Sequence, residues 1–209
     1  MKDRNLPINP NGGPLKGVRG MMLTFVDDPF LRNASECYTI YKDGLAVIQD
    51  GRFIDVGEYE DTVEKYKDLK DIDKYDNSLI IPGMIDCHLH YVQSPMIGSF
   101  GDSLLEWLNT YTFPTESKFK DKEFADEVAR VFFRQILSQG TTSANIFATT
   151  FATSVDAIFE ESERYNTRII SGKVLQDRNL PDSLKDPDTE QSIIISEDLM
   201  NKWHQRGRQ

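Results

Sequence analysis

The stretch Leu79-Ile80-Ile81-Pro82-Gly83-Met84-Ile85-Asp86-Cys87-His88-Leu89-His90 decides the fold. A short apolar run enters a Pro-Gly turn, and a second apolar pair, Met84 and Ile85, leads directly into His-x-His. Side chains on a strand alternate faces, so residues two apart point the same way. His88 and His90 therefore share one face with Asp86 behind them, while Cys87 and Leu89 take the other. Two neutral imidazoles converging from one strand are natural ligands for a first-row metal, with zinc or iron the usual candidates. An apolar strand ending in such ligands suits a (β/α)8 barrel, whose active site lies at the C-terminal mouth of its strands.

Downstream of this strand, Tyr91 to Thr115 is too long and too aromatic for a plain connection. Long structured loops are usually functional. Trp107, Tyr111 and Phe113 could enclose a flat ring there, or could simply pack the loop against the body of the domain. From Asp121 to Gln139 the apolar residues Phe124, Val128, Val131, Phe132 and Ile136 mostly recur at steps of three and four. This predicts a helix with Asp121 as N-cap and Gly140 as its stop. Thr141 to Phe147 reads as a strand, and Ser154 to Tyr165 as a helix with Val155, Ile158 and Phe159 inward. Arg168 to Leu175 reads as a third strand. Asp188 to Arg206 reads as a third helix bearing Ile194, Ile195, Leu199 and Trp203, with Gly207 at its end. Alternating strands and helices imply parallel pairing through right-handed crossovers.

Upstream, Met1 to Gly13 is polar and predicts little structure of its own. Four β-type segments follow: Gly17 to Phe25, Cys37 to Tyr41, Leu45 to Gln49 and Arg52 to Val56. Asp43-Gly44 and Asp50-Gly51 separate the last three, and Asp-Gly tolerates the positive φ of tight hairpin turns, which predicts a meander. Glu58 to Asp76 reads as a solvated helix or linker.

Composition narrows the class. Of 209 residues, 39% are hydrophobic and 28% charged, enough to build a core in water. A net charge of -10 argues against nucleic acid or an anionic membrane as the main partner. No apolar run approaches the roughly 20 residues that span a bilayer, and the N-terminus lacks a signal-peptide pattern. Cys37 and Cys87 belong to no CxxC; a disulfide between them is open but unsupported, and a reducing cytoplasm is the default.

Pro82-Gly83-Met84-Ile85-Asp86-Cys87-His88-Leu89-His90 resembles the metal-binding signature of the amidohydrolase superfamily. Leu104-Leu105-Glu106-Trp107-Leu108-Asn109-Thr110-Tyr111-Thr112-Phe113-Pro114-Thr115-Glu116 looks like the corresponding loop of guanine deaminases, as do Gly140-Thr141-Thr142, Phe147-Ala148-Thr149 and Gly172-Lys173-Val174. The resemblance implies an α/β fold: residues 1–78 as part of a small β-sandwich, and 79–209 as the first part of a (β/α)8 metal-dependent hydrolase barrel, about three βα units. It implies hydrolytic deamination of guanine to xanthine and ammonia by metal-activated water. His88 and His90 match two zinc ligands, with iron still open, and Gln93, together with His90, matches the contacts to the purine. The family's later ligands and its catalytic carboxylate have no counterpart in these residues, and His204 lies near the end of a predicted surface helix. The expectation is therefore no catalytic residue here, little turnover by this chain alone, and a homodimer for a full-length protein. Another amidohydrolase activity, or a non-catalytic role, is the alternative.

Overall fold

The computed structural model describes residues 8–206, and the chain divides after Pro82 into two compact units. In the first unit β1 (Lys16–Phe25), β2 (Tyr38–Gln49), β3 (Arg52–Glu58) and β4 (Asp71–Ile80) form a sheet in the order β3-β2-β1-β4. β1 pairs antiparallel with β2 and parallel with β4. Helix α1 (Tyr59–Lys65) follows β3. Leu45, Val47 and Ile54 from the sheet bury against Tyr66 and Leu69, with Tyr59 and Val63 of α1 packed alongside.

The two Asp-Gly pairs have different fates. Asp50 and Gly51 take φ of +52° and +73° between β2 and β3, the two positive values that a type I′ hairpin requires. Asp43-Gly44, expected as a second turn, instead lies inside the continuous strand β2. Arg19 on β1 donates to both carboxylate oxygens of Asp43, at 2.8 and 2.6 Å. A Cβ on Gly44 would stand 2.9 Å from Tyr41 and 3.0 Å from Met22. This glycine serves close packing, not a turn.

A second correction concerns Glu58 to Asp76, expected to be a helix or linker. Only Tyr59–Lys65 is helical, and from Asp71 the chain becomes the edge strand β4. Its side chains are nearly all exposed, so no apolar alternation betrays it, and pairing with β1 supplies the order. Its charges also guard the edge against another chain. Residues 8–13 have neither helix nor strand, as expected, but are tied down. Gln49 accepts from the Asn9 N–H at 2.8 Å, and Asp50 from the Gly13 N–H at 2.8 Å. The rest of that expectation, Met1 to Pro7, lies outside the described residues.

In the second unit β5 (Met84–His90), β6 (Thr141–Phe147) and β7 (Arg168–Gly172) form a parallel sheet in the order β5-β6-β7. The segment after β5 is helical in short pieces. A 3-10 turn (Tyr91–Met96), α2 (Leu104–Trp107), a π turn (Leu108–Thr112), α3 (Phe113–Glu116) and a 3-10 turn (Ser117–Lys120) succeed one another. The long helices are α4 (Lys122–Ser138), α5 (Ala152–Tyr165) and α6 (Thr189–Trp203).

The predicted N-cap holds, Asp121 accepting from the Glu123 N–H at 2.9 Å, and α6 is likewise capped by Asp188, which accepts from the Gln191 N–H at 2.8 Å. Gly140 ends α4 region with φ +87°. The expected inward face of α4 largely holds, with Phe132 buried and Phe124, Val128 and Ile136 packed against the core, but it is completed by residues not expected there. Ala125, Ala129, Phe132 and Phe133 are buried, whereas Val131 is 56% exposed. Small alanines let the helix approach the sheet, which a count of large apolar residues overlooks. Val155, Ile158 and Phe159 of α5 are buried as expected. On α6, Leu199 and Trp203 are buried while Ile194 is exposed. The third strand ends at Gly172 rather than Leu175, and Gly207 lies outside the described residues.

The connection from β7 to α6 is held by a buried ion pair. The Lys173 side chain is fully buried, and its Nζ donates to Asp186 at 2.6 Å, Ser192 Oγ at 2.9 Å and the Val174 carbonyl at 3.0 Å. Burial opposes ionisation of Asp186, but Lys173, the Gln176 N–H and Ser192 outweigh it and hold its pKa below the usual carboxylate value. Cys37 is buried and Cys87 exposed, both as free thiols.

Candidate functional site

The Pro-Gly entry to β5 is fixed by its neighbour strand. A Cβ on Gly83 would lie 2.0 Å from Thr142 Oγ1, so only glycine fits, and the Met84 N–H donates to the Gly140 carbonyl at 2.8 Å. The β5–β6 register runs Asp86↔Ala144 and then Leu89↔Ile146, so Cys87 and His88 together oppose Asn145. Two residues opposing one is a β-bulge, a device that re-aims side chains near strand ends. The Asp86 Oδ1 accepts from the His88 N–H at 3.0 Å. Asp86 thus braces the bulge rather than standing behind two regularly alternating histidines. Leu89 packs against the core, as alternation demands, while Cys87 in the bulge is exposed.

Beyond the bulge the two imidazoles meet. His88 Nε2 and His90 Nε2 are 3.0 Å apart, with ring centroids 5.0 Å apart. Phe147, the register partner of His90 on β6, stacks on the His90 ring at 4.7 Å and 8°, and lies 4.9 Å from His88. Burial, and then the neighbouring His88, lower the His90 pKa and favour its neutral, ligating form. The donor set fits part of a zinc site. Two Zn–N bonds of about 2.0–2.1 Å at a tetrahedral angle put the nitrogens about 3.3 Å apart, close to the spacing here. A catalytic zinc takes three protein ligands. Among the described residues no group of three or more His, Cys, Asp or Glu side chains converges, so His204 does not join the pair.

Gln93 lies on the 3-10 turn just after His90, and this turn packs against α3, which carries Glu116. Burial pushes the Glu116 pKa up to about 7, with Gln93 working the other way. Trp107 is anchored by its Nε1–H, which donates to the Ser99 carbonyl at 3.2 Å. A Cβ on Gly101 would stand 2.8 Å from the Trp107 Cβ, so the indole segment folds tightly onto this loop. The residues that sequence reasoning passed over are Phe147 as a ring partner and Glu116 as a perturbed carboxyl. Pairing the ends of parallel strands points to the first; nothing in the sequence signals the second.

Comparison with known proteins now bears on this geometry. A model of the amidohydrolase family matches residues 79–208. The chain belongs to the amidohydrolase family. The amidohydrolase chain is 41% identical over 197 residues to the guanine deaminase of Escherichia coli K12, a match covering 93% of this chain and 44% of that protein. The solved structure of guanine deaminase from Bradyrhizobium japonicum superposes with a TM-score of 0.88 at 33% identity, covering 93% of this chain and 42% of that one. Guanine deaminase from C. acetobutylicum, solved with guanine in its active site, gives 0.77 at 30% identity, covering 92% and 43%. The amidohydrolase chain thus spans less than half the length of each of these relatives. No helix among the described residues is long and apolar enough to cross a membrane.

Proposed function

We propose that this chain takes part in the hydrolytic deamination of guanine to xanthine and ammonia. In this reading His88 and His90 bind one divalent metal, and Gln93, with His90, contacts the purine. The observation that carries it is the convergence of the two Nε2 atoms, 3.0 Å apart, at the C-terminal end of a parallel strand. That is the end where strands of a (β/α)8 barrel deliver their chemistry. Guanine deaminases among the relatives direct the choice of substrate. A bound zinc would supply an activated water; iron suits two imidazoles nearly as well. Burial and His88 favour the neutral, ligating form of His90, and Phe147 stacks on one face of its ring. Gln93 offers an amide able both to donate to and accept from a heterocycle edge.

The finer architecture belongs to the same proposal. Residues 79–209 are the first part of a (β/α)8 barrel, about three βα units, and residues 1–78 a portion of a small β-sandwich. The parallel sheet supports the first, because such sheets are normally covered on both faces and one face here is open. Ile85 is 73% and Ile170 64% exposed. Two imidazoles do not complete a catalytic zinc site, so turnover needs ligands from outside the described residues. A homodimer and a cytoplasmic location are proposed on the family resemblance alone.

The test is ammonia release from guanine with added zinc. The chain is assayed alone and mixed with the separately expressed remainder of the Escherichia coli relative. Turnover only on mixing, lost with His88→Ala, is the expected result. Turnover by the chain alone would show that two histidines suffice. No turnover from a mixture that forms a folded complex would sink the guanine reading.

A further inference from the structure

Phe147 is the exception on its side of β6. Strand alternation sets it in one row with Ser143 and Asn145, both polar, while Ala144 and Ile146 between them are buried. A phenyl ring left 37% exposed at the end of that row is not core packing. Its contacts are the two histidines. The Phe147 ring lies 4.7 Å from His90 at 8° and 4.9 Å from His88 at 37°, and the imidazoles are 5.0 Å from each other. The three centroids close a triangle, and each side falls in the range of aromatic pairs. On the other flank the register partner of Phe147 is Gly172, where a Cβ would meet nothing within 4 Å. The ring has room to lean away from the histidines and stacks on them instead.

A metal-binding histidine is ordinarily oriented by a hydrogen bond at its other ring nitrogen, and losing that partner typically costs about 10–100-fold in metal affinity. Among the described residues the one hydrogen bond of either ring is the Nε2···Nε2 contact at 3.0 Å, and neither Nδ1 has a partner. The Cβ–Cγ torsion of histidine is broad, so two such rings on a strand would otherwise turn independently. We propose that Phe147 is a positioning residue: by stacking on both imidazoles it fixes their ring torsions and holds the two Nε2 atoms converged for one divalent metal. The demand is for a plane. A flat ring matches the His90 plane while holding His88 at a tilt, which a branched aliphatic side chain cannot do. β5–β6 pairing delivers that ring, since it sets Phe147 opposite His90. The metal half of this inference rests on the metal reading above; the ordering of the rings by Phe147 does not.

The experiment compares the full chain as wild type, Phe147→Leu and Phe147→Tyr by NMR. Ring-to-ring NOEs are recorded without metal, and zinc is then titrated on the histidine ring resonances. Wild type should show NOEs among all three rings. Phe147→Leu should lose the His88–His90 cross-peak and bind zinc about tenfold or more weakly. Phe147→Tyr keeps the ring and should retain both. Unchanged backbone resonances of Ala144 and Ile146 show that the sheet is intact; should Phe147→Leu fail to fold, the wild-type NOEs and Phe147→Tyr still decide. Missing NOEs from Phe147 to the imidazoles in wild type overturn the inference. So does a folded Phe147→Leu that keeps the cross-peak or binds zinc as wild type does, or a Phe147→Tyr that has lost the cross-peak. Rings ordered through Phe147 yet unmoved by zinc uphold the ordering and count against the metal reading instead.

Discussion

The two faces of the parallel sheet are made by the same strands and treated in opposite ways. On one face Ala144, Ile146 and Ile169 are buried beneath α4, α5 and α6, together with Phe133, Val155 and Ile158. On the other, Ile85 and Ile170 stand largely exposed beside His88, His90 and Phe147. Strand alternation, shifted on β5 by the bulge at Cys87 and His88, decides which residue goes where. The helix-covered face holds the core of the unit, and the open face holds the proposed metal donors. A sheet whose open face holds both apolar side chains and metal-type donors is suited to further protein and a ligand, not to water alone.

The contrast can be broken most forcefully from the covered side. Phe133→Ala should cost about 3–5 kcal/mol of unfolding free energy in urea, since the ring is fully buried in the core. Lys173→Ala should cost about 3 kcal/mol, because Asp186 would keep a buried charge without its partner. Both should lower the denaturation midpoint while leaving the His88–His90 pair chemically intact.

Glu116 gives a smaller effect with a defined pH sign. Its folded pKa of about 7 lies above the ordinary 4.5, so the folded state holds the proton more tightly than the unfolded chain does. Its stabilising contribution is complete below about pH 4.5 and is lost as pH rises through 7. Glu116→Gln should therefore gain on wild type as the pH is raised from 5 to 8. About 1.4 kcal/mol per unit sets an upper bound of about 3 kcal/mol, and residual solvation lowers this to about 1–2. Urea melts at the two pH values measure it; a gap that narrows with rising pH would contradict the assignment. At the far end, Ile85→Ser on the open face should change stability by under about 0.5 kcal/mol. A loss like that of Phe133→Ala would mean that the two faces are not distinct.

Much of this was legible in the sequence because period and capping are local. The Asp121 cap, the α5 stripe and the Asp50-Gly51 hairpin follow from near neighbours alone. The failures share a cause in contacts distant along the chain. β4 shows no apolar pattern because β1 pairing orders it, and Asp43-Gly44 stays extended because Arg19 takes the carboxylate. At the site, His-x-His spacing indicated convergence, and the family resemblance supplied Gln93. The bulge braced by Asp86, the Phe147 stack and the half-buried Glu116 carboxyl depend on which strands and turns become neighbours.

The most direct test of the central claim is a zinc titration of the full chain, followed on the ring resonances of His88 and His90. The account predicts that one equivalent shifts both sets together, and that His88→Ala or His90→Ala abolishes the response with the fold intact. Zinc that leaves both rings unmoved, or binds equally well after either substitution, would contradict it.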